Sequence, residues 1–307
     1  MGQLEELANF VRIIDSGGIS RAAEHMDVAK SAVSRRLAEL EARLGVRLIT
    51  RSTRSMTLTD AGKGLYERSL RILSDVSEAQ DEASEAESSL RGNIRLAAPI
   101  TFGLRHLSAA IVEFAARHPD VHFDVDFNDR RIDLIDEGVD LAIRIGDLAD
   151  SSLVARRLTT IRHAVCASPN YFERYGVPAV PADLREHRGL RYTNRPQNRW
   201  AWRTPNGSKG TVKMPSTMQA NNGDFLLQAA AAGGGIIISP TFIVYEAIRD
   251  RQLQAVLTDY EWSPLNAYAV YPENRHLPQR VKAFVDFLAD HFGDPPYWDD
   301  ILRDSER

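Results

Sequence analysis

The stretch from residue 18 to residue 62 constrains the fold of this chain more than any other part of the sequence. It contains two short helical patterns, the first with small buried-type alanines and the second with Val33, Leu37 and Leu40 on one face. Two runs of alternating apolar and polar residues follow, with Val46 and Leu48 in the first and Met56 and Leu58 in the second, and flank a polar turn at residues 52–55. With the helical pattern over residues 4–14, this order predicts a winged helix-turn-helix head over residues 1–58, in which Ser20 is a plausible N-cap of the second helix.

The face opposite the apolar stripe of the third helix is polar and basic, and the tip of the hairpin adds further polar and basic residues. The candidate DNA-binding residues are Lys30, Ser31, Ser34, Arg35, Arg36, Arg51, Thr53 and Arg54. Arginine can bond guanine with two hydrogen bonds, and serine suits several base edges and phosphates. The hairpin arginines are placed to contact backbone or minor groove. The alternative interpretation of the helix is a solvated charged face.

Charge is distributed unevenly along the chain, although its net charge is −4. Residues 28–54 carry seven bases against two acids, whereas residues 75–90 carry six acids and no base. A single cysteine, Cys166, excludes an intramolecular disulfide and fits a reducing compartment. No apolar run approaches the roughly 18–20 residues that span a bilayer, and the N-terminus does not look like a secretory signal. We therefore expect a cytoplasmic protein without membrane contact.

The sequence pattern of residues 59–91 predicts a long linker helix, for which Thr59 is a suitable N-cap. Apolar residues recur every seventh position in two interleaved sets. The sets are Leu65, Ile72, Ala79 and Ala86, and Val76, Ala83 and Leu90. This spacing favours a coiled-coil seam between two subunits. The alternative is that the stripe packs on its own domain.

Short strand patterns alternate with helical patterns over residues 92–292. Ile94–Ala98, Val121–Phe127 and Leu141–Ile145 read as the first three strands, and residues 132–137 as a helix. Alternation of this kind predicts an α/β domain with a mostly parallel sheet. The last residues, 293–307, read as a polar tail to which no role is assigned.

Six segments carry a resemblance to one family. They are AAEHMDVAKSAVSRRL (residues 22–37), ExxLGVRL (41–48), RSTRSMTLTDAG (51–62), DLAIRIG (140–146), SLVARRL (152–158) and AAAGGGIIISP (230–240). Together they resemble the LysR-type transcriptional regulators over almost the whole chain to about residue 292. One departure is Ala29, where the family usually has Ser or Thr as N-cap of the recognition helix, so Ser31 caps instead or the helix start frays. Lys30 stands where Gln or Pro is common.

The resemblance implies an α/β fold overall, with an effector domain built like a periplasmic binding protein. Its lobe 1 would comprise about residues 92–161 and 268–292, and its lobe 2 about residues 162–267. A small anionic or aromatic metabolite would bind between the lobes, where helix N-termini favour an anion. The effector-binding residues carried over by resemblance are Thr101, Phe102, Asn128, Gly146, Thr193, Asn222 and Pro240. The alternative is a purely structural role, in which each residue caps a helix or forms a turn.

The resemblance also implies a dimer through the linker helix, a tetramer of paired dimers, binding to an interrupted palindrome in double-stranded DNA, and RNA polymerase as a further candidate partner. No nucleophile elbow, phosphate loop or zinc motif occurs in the sequence, and the eight histidines do not cluster at metal-binding spacing. We therefore expect no enzyme activity, cofactor or metal. Two other hypotheses are a solute-binding component, which would need a signal peptide, and an architectural DNA-binding protein with a vestigial sensor.

Overall fold

The computed structural model describes residues 2–51, 56–83, 90–130, 133–134, 137–146, 153–194, 199–273 and 277–301. The chain divides into two compact units, Met1–Gly92 and Asn93–Arg307. The expected helix at residues 132–137 and the seam residue Ala86 lie wholly or partly outside the described residues. The expected linker helix to residue 91 was wrong at its end, because Leu90 and Arg91 are not helical and a strand begins at Gly92. Among the helices that are described, none is both long enough and apolar enough to cross a bilayer.

The N-terminal unit begins with three helices and a two-stranded hairpin. They are α1 Gln3–Asp15, α2 Ile19–His25, α3 Lys30–Leu44, β1 Ile49–Arg51 and β2 Met56–Leu58. The predicted apolar face of α3, formed by Val33, Leu37 and Leu40, is buried against the first two helices and the hairpin. Gly45 ends α3 in the left-handed conformation that favours glycine, with φ 70°. This part of the fold follows the predicted order.

Two local expectations for the head were wrong. The backbone of Gly18, with φ 151°, occupies the cap position of α2, so that helix begins one residue before Ser20, which is not its cap. The first strand of the hairpin begins at Ile49, and Val46, expected to lie in it, is exposed before the strand. Both differences concern backbone geometry at element ends, which side-chain periodicity does not define.

The linker helix α4 runs over Asp60–Ala83, and Thr59 caps it as predicted. The Thr59 hydroxyl accepts a hydrogen bond from the Gly62 N–H at 3.0 Å and donates to the Arg47 carbonyl at 2.7 Å. The cap therefore also ties the start of α4 to the chain that enters the hairpin. Leu65 packs against the core of the head. Two helical turns after Leu65, Ile72 is 41% exposed.

The C-terminal unit contains two lobes. The elements before Arg162 are β3 Gly92–Ala98, α5 Ile100–Phe102, a π-helical turn Gly103–Leu107, α6 Ser108–Arg117, β4 Val121–Phe127, β5 Leu141–Ile145 and β6 Leu153–Ile161. The next elements are β7 His163–Ala167, α7 Pro169–Tyr175, β8 Gly189–Tyr192, β9 Trp200–Arg203, β10 Lys209–Val212, β11 Ser216–Ala220, α8 Gly223–Ala231, β12 Ile237–Pro240, α9 Thr241–Arg249, β13 Gln254–Val256 and β14 Glu261–Trp262. The last strand and helix are β15 Leu265–Pro272 and α10 Gln279–Phe292. Short 3-10 turns lie at Pro181–Arg185 and Tyr297–Asp299.

Lobe 1 is built on a five-stranded sheet in the order β4-β3-β5-β15-β6, with α6 and α10 packed beside it. Lobe 2 contains α7, α8, α9 and three smaller sheets, β12-β7-β13, β11-β8 and β10-β9-β14. The chain passes from lobe 1 to lobe 2 at Arg162, between β6 and β7, and returns through β15. The two lobes and their crossovers give the α/β effector-domain architecture that the resemblance implied.

The expectation of a mostly parallel sheet was wrong in detail. β3 and β5 are parallel, but β15 runs antiparallel to both β5 and β6. In lobe 2, β7 is antiparallel to both of its neighbours. A crossover that returns from the other lobe enters the sheet from the opposite end, which reverses the strand direction. The pattern of a single strand carries no information about this direction.

The expectation of a polar tail after residue 292 also needs correction for the residues described. Trp298 is fully buried, and Asp299 is 3% exposed. The chain from residue 293 to residue 299 packs onto the lobes instead of extending into solvent. One tryptophan in a segment with seven charged residues was too weak a signal in the sequence, because its partners come from distant segments.

Candidate nucleic-acid interface and interlobe cleft

The candidate DNA-binding residues of α3 differ in exposure. Lys30, Ser31 and Arg35 are exposed, whereas Ser34 and Arg36 are half-buried at its margins. The backbone of Arg51 ends β1, and Thr53 and Arg54 lie outside the described residues. The arrangement presents a lysine, a serine and an arginine to a partner while the apolar face stays in the core.

Arg35 and Arg36 differ in their surroundings. The Arg35 guanidinium lies 3.8 Å from the Glu39 carboxylate, in a pair whose side chains are 75% and 61% exposed. Such an exposed pair contributes little stability, so it can open when a stronger acceptor arrives. Arg36 instead donates from Nη1 to the Asn9 side-chain oxygen at 3.4 Å, toward α1. Arg35 is therefore the arginine best placed to reach a base, and Arg36 is better placed to hold the helix.

The start of α3 has no side-chain cap. Ala29 occupies the cap position with φ −64° and ψ 138°, and Ser31 does not replace the missing cap. The helix begins at Lys30 nonetheless, with the Ala32 N–H donating to the Ala29 carbonyl at 2.9 Å. A helix start of this kind next to a lysine suits a phosphate oxygen.

Glu41 joins the recognition helix to the hairpin, a role that the sequence did not reveal. Its Oε1 accepts hydrogen bonds from the backbone N–H groups of Leu48 at 2.7 Å and Ile49 at 3.2 Å. Its Oε2 lies 3.7 Å from Arg47 Nη1, and only 10% of the Glu41 side chain is exposed. Glu41 thus fixes the first strand of the hairpin relative to α3. Glu41 and Leu48 both belong to the ExxLGVRL segment, but the contact between them is evident only from the geometry of the turn that joins α3 to the hairpin.

The turn into α5 was predicted to receive an anion, and a carboxylate of the chain itself lies there. The Ile100 N–H donates to Asp129 Oδ1 at 3.2 Å. Burial raises the pKa of the Asp129 carboxyl and the charge of Asp224 raises it further, while the hydrogen bond from Ile100 lowers it. The neighbouring Asn128 lies at the end of β4, with its N–H bonded to the Ala98 carbonyl at 3.0 Å.

Thr101 lies at the same turn and reaches across to lobe 2. Its hydroxyl donates to Asp224 Oδ2 at 2.6 Å, and Arg105 binds Asp224 Oδ1 through Nη2 at 2.7 Å and Nε at 3.0 Å. Arg105 Nη1 also lies 3.3 Å from Glu246 on α9. A network of charged and hydroxyl groups thus joins the lobes at one side of the cleft. Thr101 was predicted from the sequence, whereas Asp129, Asp224 and Arg105 were not.

The other residues expected in the cleft occupy different environments. Asn222 caps α8 by accepting from the Phe225 N–H at 2.9 Å, Thr193 is exposed just after β8, and Pro240 ends β12 half-buried. Gly146 follows β5 with φ 144° and has open space at the position of a Cβ atom. Burial raises the pKa of the Tyr192 phenol, beside Thr193, and the Asp129 carboxylate raises it further. The charge of Asp129, in lobe 1, therefore acts on the Tyr192 phenol in lobe 2.

Phe102 has no exposed surface. Its ring lies 5.3 Å from the rings of Phe242 and Phe292, within an aromatic cluster. Its ring therefore packs inside this cluster. The helix that carries it lies close to β4, because a Cβ atom on Gly103 would lie 2.3 Å from the Phe127 ring.

Metal and thiol chemistry find little support in the described part of the chain. No group of three His, Cys, Asp or Glu side chains there could hold a metal ion. Cys166 is fully buried in β7, and burial raises the pKa of its thiol, which disfavours the reactive thiolate.

Two family models match the chain. Residues 4–63 match the bacterial regulatory helix-turn-helix proteins of the lysR family, and residues 87–293 match the LysR substrate binding domain. A Haemophilus influenzae protein described as an uncharacterized HTH-type transcriptional regulator is 38% identical over 282 residues, which cover 92% of this chain and 98% of that protein. An HTH-type transcriptional regulator of Xanthomonas campestris pv. campestris is 34% identical and covers 93% of this chain, and 84% of its own length is matched.

The solved structure of CrgA, a LysR-type transcriptional regulator from Neisseria meningitidis, has the same fold. It is similar to this chain with a TM-score of 0.60 and 32% sequence identity, over 94% of this chain and 98% of CrgA. The similarity thus spans the head and both lobes.

Proposed function

This chain belongs to the LysR family of transcriptional regulators, as its sequence resemblance predicted, and from that premise we propose that it binds specific DNA sites under the control of a small metabolite held between its lobes. The observation that carries this proposal is that one chain has both an exposed face of Lys30, Ser31 and Arg35 on α3 and a two-lobed C-terminal unit. Its homologues are named as transcriptional regulators, and we assign it no catalytic role.

DNA recognition is assigned to α3 in the major groove. Arg35 would read a base, Lys30, Ser31 and Ser34 would contact bases or phosphates, and Arg36 would support the helix. Arg51, Thr53 and Arg54 of the hairpin would contact the backbone or minor groove. The support for these roles is the exposure of α3, its uncapped start and the position of Glu41, which holds the hairpin beside it.

Dimerisation is assigned to α4. Two paired linker helices would place two recognition helices in successive major grooves, roughly 34 Å apart, on an interrupted palindrome. The exposed Ile72 on the predicted seam supports this assignment. We further propose a tetramer of paired dimers and a cytoplasmic location, with RNA polymerase as a partner at the promoter.

The effector site is assigned to the cleft bordered by Thr101, Asn128, Gly146, Thr193, Asn222 and Pro240, with Phe102 beneath it. An anionic effector that takes the first N–H of α5 has to displace the Asp129 carboxylate from Ile100. An aromatic effector would pack beside Tyr192. The cross-lobe contact between Thr101 and Asp224 supports a link between ligand binding and the relative position of the lobes.

The test is a genome-wide capture of DNA fragments by the purified full-length protein, with footprints read at base resolution. We expect a few sharp interrupted palindromes, and the genes beside them will identify candidate metabolites for titration. Diffuse, sequence-independent binding would contradict the proposal and favour an architectural DNA-binding protein.

A further inference from the structure

His106 joins three segments that are distant in sequence. It lies in the π-helical turn of lobe 1, and its Nε2 is 2.9 Å from the Phe242 carbonyl oxygen of α9 in lobe 2. Its Nδ1 is 2.6 Å from the hydroxyl of Tyr297, in the C-terminal segment. A carbonyl oxygen can only accept, so Nε2 donates to Phe242 and Nδ1 accepts from Tyr297. A neutral imidazole therefore satisfies both partners in one tautomer.

Aromatic rings surround this junction. Trp298, which is fully buried, has its ring centroid 4.5 Å from that of His106 and 6.0 Å from that of Phe102. Phe242 of lobe 2 and Phe292 at the end of α10 complete the cluster. The C-terminal segment therefore contributes a large apolar side chain to a contact made by both lobes. Burial of a ring of this size is among the strongest contributions that one residue makes to packing.

The same segment is fastened beside the crossover between the lobes. Asp299 forms an ion pair with Arg162, the residue between β6 and β7, and accepts from the Thr241 hydroxyl at 2.6 Å. Thr241 begins α9, and its N–H donates to the Arg162 carbonyl at 2.9 Å. On the lobe 1 side, the Thr159 hydroxyl donates to the Gly293 carbonyl at 2.7 Å, and Arg157 pairs with Asp294.

We propose that residues 293–299 form an interlobe clamp, in which Tyr297 and Asp299 are positioning residues that set the angle between the lobes and hence the response of the cleft. The clamp begins where the match to the family model ends, at residue 293. It rests on the proposed function in one respect only, namely that the lobes move when an effector binds. The lobes cannot turn about Arg162 without disturbing the His106–Tyr297 bond, the Asp299 contacts or the ring cluster.

Two conservative variants separate positioning from packing. Tyr297→Phe keeps the ring and removes the hydroxyl that donates to His106. Asp299→Asn keeps an acceptor for Thr241 and removes the charge that faces Arg162. Tyr175→Phe is the matched control, because Tyr175 lies on α7 of lobe 2 and is 46% exposed, close to the 49% of Tyr297.

The experiment measures the distance between the lobes in the full-length, ligand-free protein by electron–electron resonance of two spin labels. Labels at Val112→Cys in lobe 1 and Val177→Cys in lobe 2 occupy positions that are 69% and 55% exposed, and the buried Cys166 stays unlabelled. Dilution with unlabelled protein restricts the signal to pairs within one chain. Because neither DNA nor effector is present, the result does not depend on whether the cleft binds a metabolite.

We expect Tyr297→Phe and Asp299→Asn to broaden or shift the interlobe distance distribution, while Tyr175→Phe leaves it unchanged. Amide hydrogen exchange should become about five-fold faster over Thr241–Arg249, as expected for loss of one hydrogen bond, and stay constant over β3. An unchanged distribution in Tyr297→Phe overturns the clamp, even where Asp299→Asn fails to fold. Equal acceleration over β3 also overturns it, because the segment would then stabilise the unit without positioning its lobes.

Discussion

At the scale of single residues, His106 predicts how the stability of the C-terminal unit depends on pH. Burial lowers the pKa of His106 from 6.5 to about 4. The hydrogen bond to the Phe242 carbonyl opposes this shift, the charge of Arg105 adds to it, and the charge of Glu246 opposes it more weakly. Tyr297 and Tyr245 are the other titratable side chains that face the ring. The folded state therefore holds the neutral imidazole that both of its hydrogen bonds require.

The sign of this pH dependence follows from the depressed pKa. The unfolded chain takes up a proton near pH 6.5, but the folded chain does so only near pH 4, so the contribution of His106 to stability is complete above pH 6.5 and declines as the pH falls through that window. Between pH 7 and pH 5 we expect a loss on the order of 2 kcal/mol from this residue. Urea unfolding at both pH values measures it. His106→Gln should flatten the difference, and the exposed His122→Gln on β4 should not; equal pH dependence in wild type and His106→Gln would contradict the assignment.

Arg35 carries the second prediction at this scale. Arg35→Ala should weaken operator binding by about 1–3 kcal/mol and relax the preference at one base position. Glu39→Ala is the matched control, because it removes the same exposed ion pair from the other side. Since that pair contributes little to stability, Glu39→Ala should bind DNA as well as wild type or better. Binding and selectivity that are unchanged in Arg35→Ala would remove Arg35 from the interface.

The burial and capping role of a residue were predicted correctly where a local sequence pattern determines them. Val33, Leu37 and Leu40 are buried and Thr59 caps α4, because helical spacing and capping are short-range properties. It predicted them poorly where the partners are distant. Phe102 was expected to face the cleft and is fully buried, and the occupant of the α5 turn is Asp129, which comes from another strand end.

At the scale of elements, Glu41 determines how the hairpin sits on the recognition helix. Glu41→Ala leaves the N–H groups of Leu48 and Ile49 without their acceptor, which costs about 1–3 kcal/mol locally. We expect faster amide exchange at residues 48 and 49 and operator binding that is weaker by about tenfold, or about 1.4 kcal/mol. Glu41→Gln retains an acceptor oxygen and should behave nearly as wild type. If both variants bind DNA equally well, the contact does not position the hairpin.

Elements with strong periodicity were predicted within a few residues. The strands β4 and β5 occur at the residues where they were expected, and β4 alternates as its sequence predicted, with Val121 buried and His122 exposed. By contrast, β6 was seen only as a family motif, because the polar Arg156 and Arg157 interrupt its apolar pattern. Their side chains reach Asp286 and Asp294, which are far along the chain.

At the scale of the whole molecule, the uneven charge of the chain and the predicted seam of α4 both fit the proposed dimer. The seven bases at residues 28–54 favour an anionic partner, whereas the six acids at residues 75–90 disfavour one. A seam of apolar and small residues lets two such helices approach despite that charge. In the proposed dimer, two heads on one site would multiply their effects without any new base contact.

Ile72 tests this arrangement most directly, since it is the large exposed apolar residue on the predicted seam. Ile72→Glu would bury a charge between two helices, and we expect the dimer dissociation constant to rise by at least about 100-fold, or about 2.8 kcal/mol. Analytical ultracentrifugation should show the mass of the assembly reduced by half. Affinity for the full palindrome should fall while affinity for an isolated half-site is retained.

Lys63→Glu places the same carboxylate on the exposed side of α4, away from the seam, and should leave the mass of the assembly unchanged. A wild-type mass for Ile72→Glu would mean that the stripe packs within its own subunit. The two heads would then have to be paired through the C-terminal units, and the spacing of the palindrome would no longer be set by the linker helix. The measured half-site spacing therefore distinguishes the two architectures: about one helical turn, roughly 34 Å, follows from paired linkers.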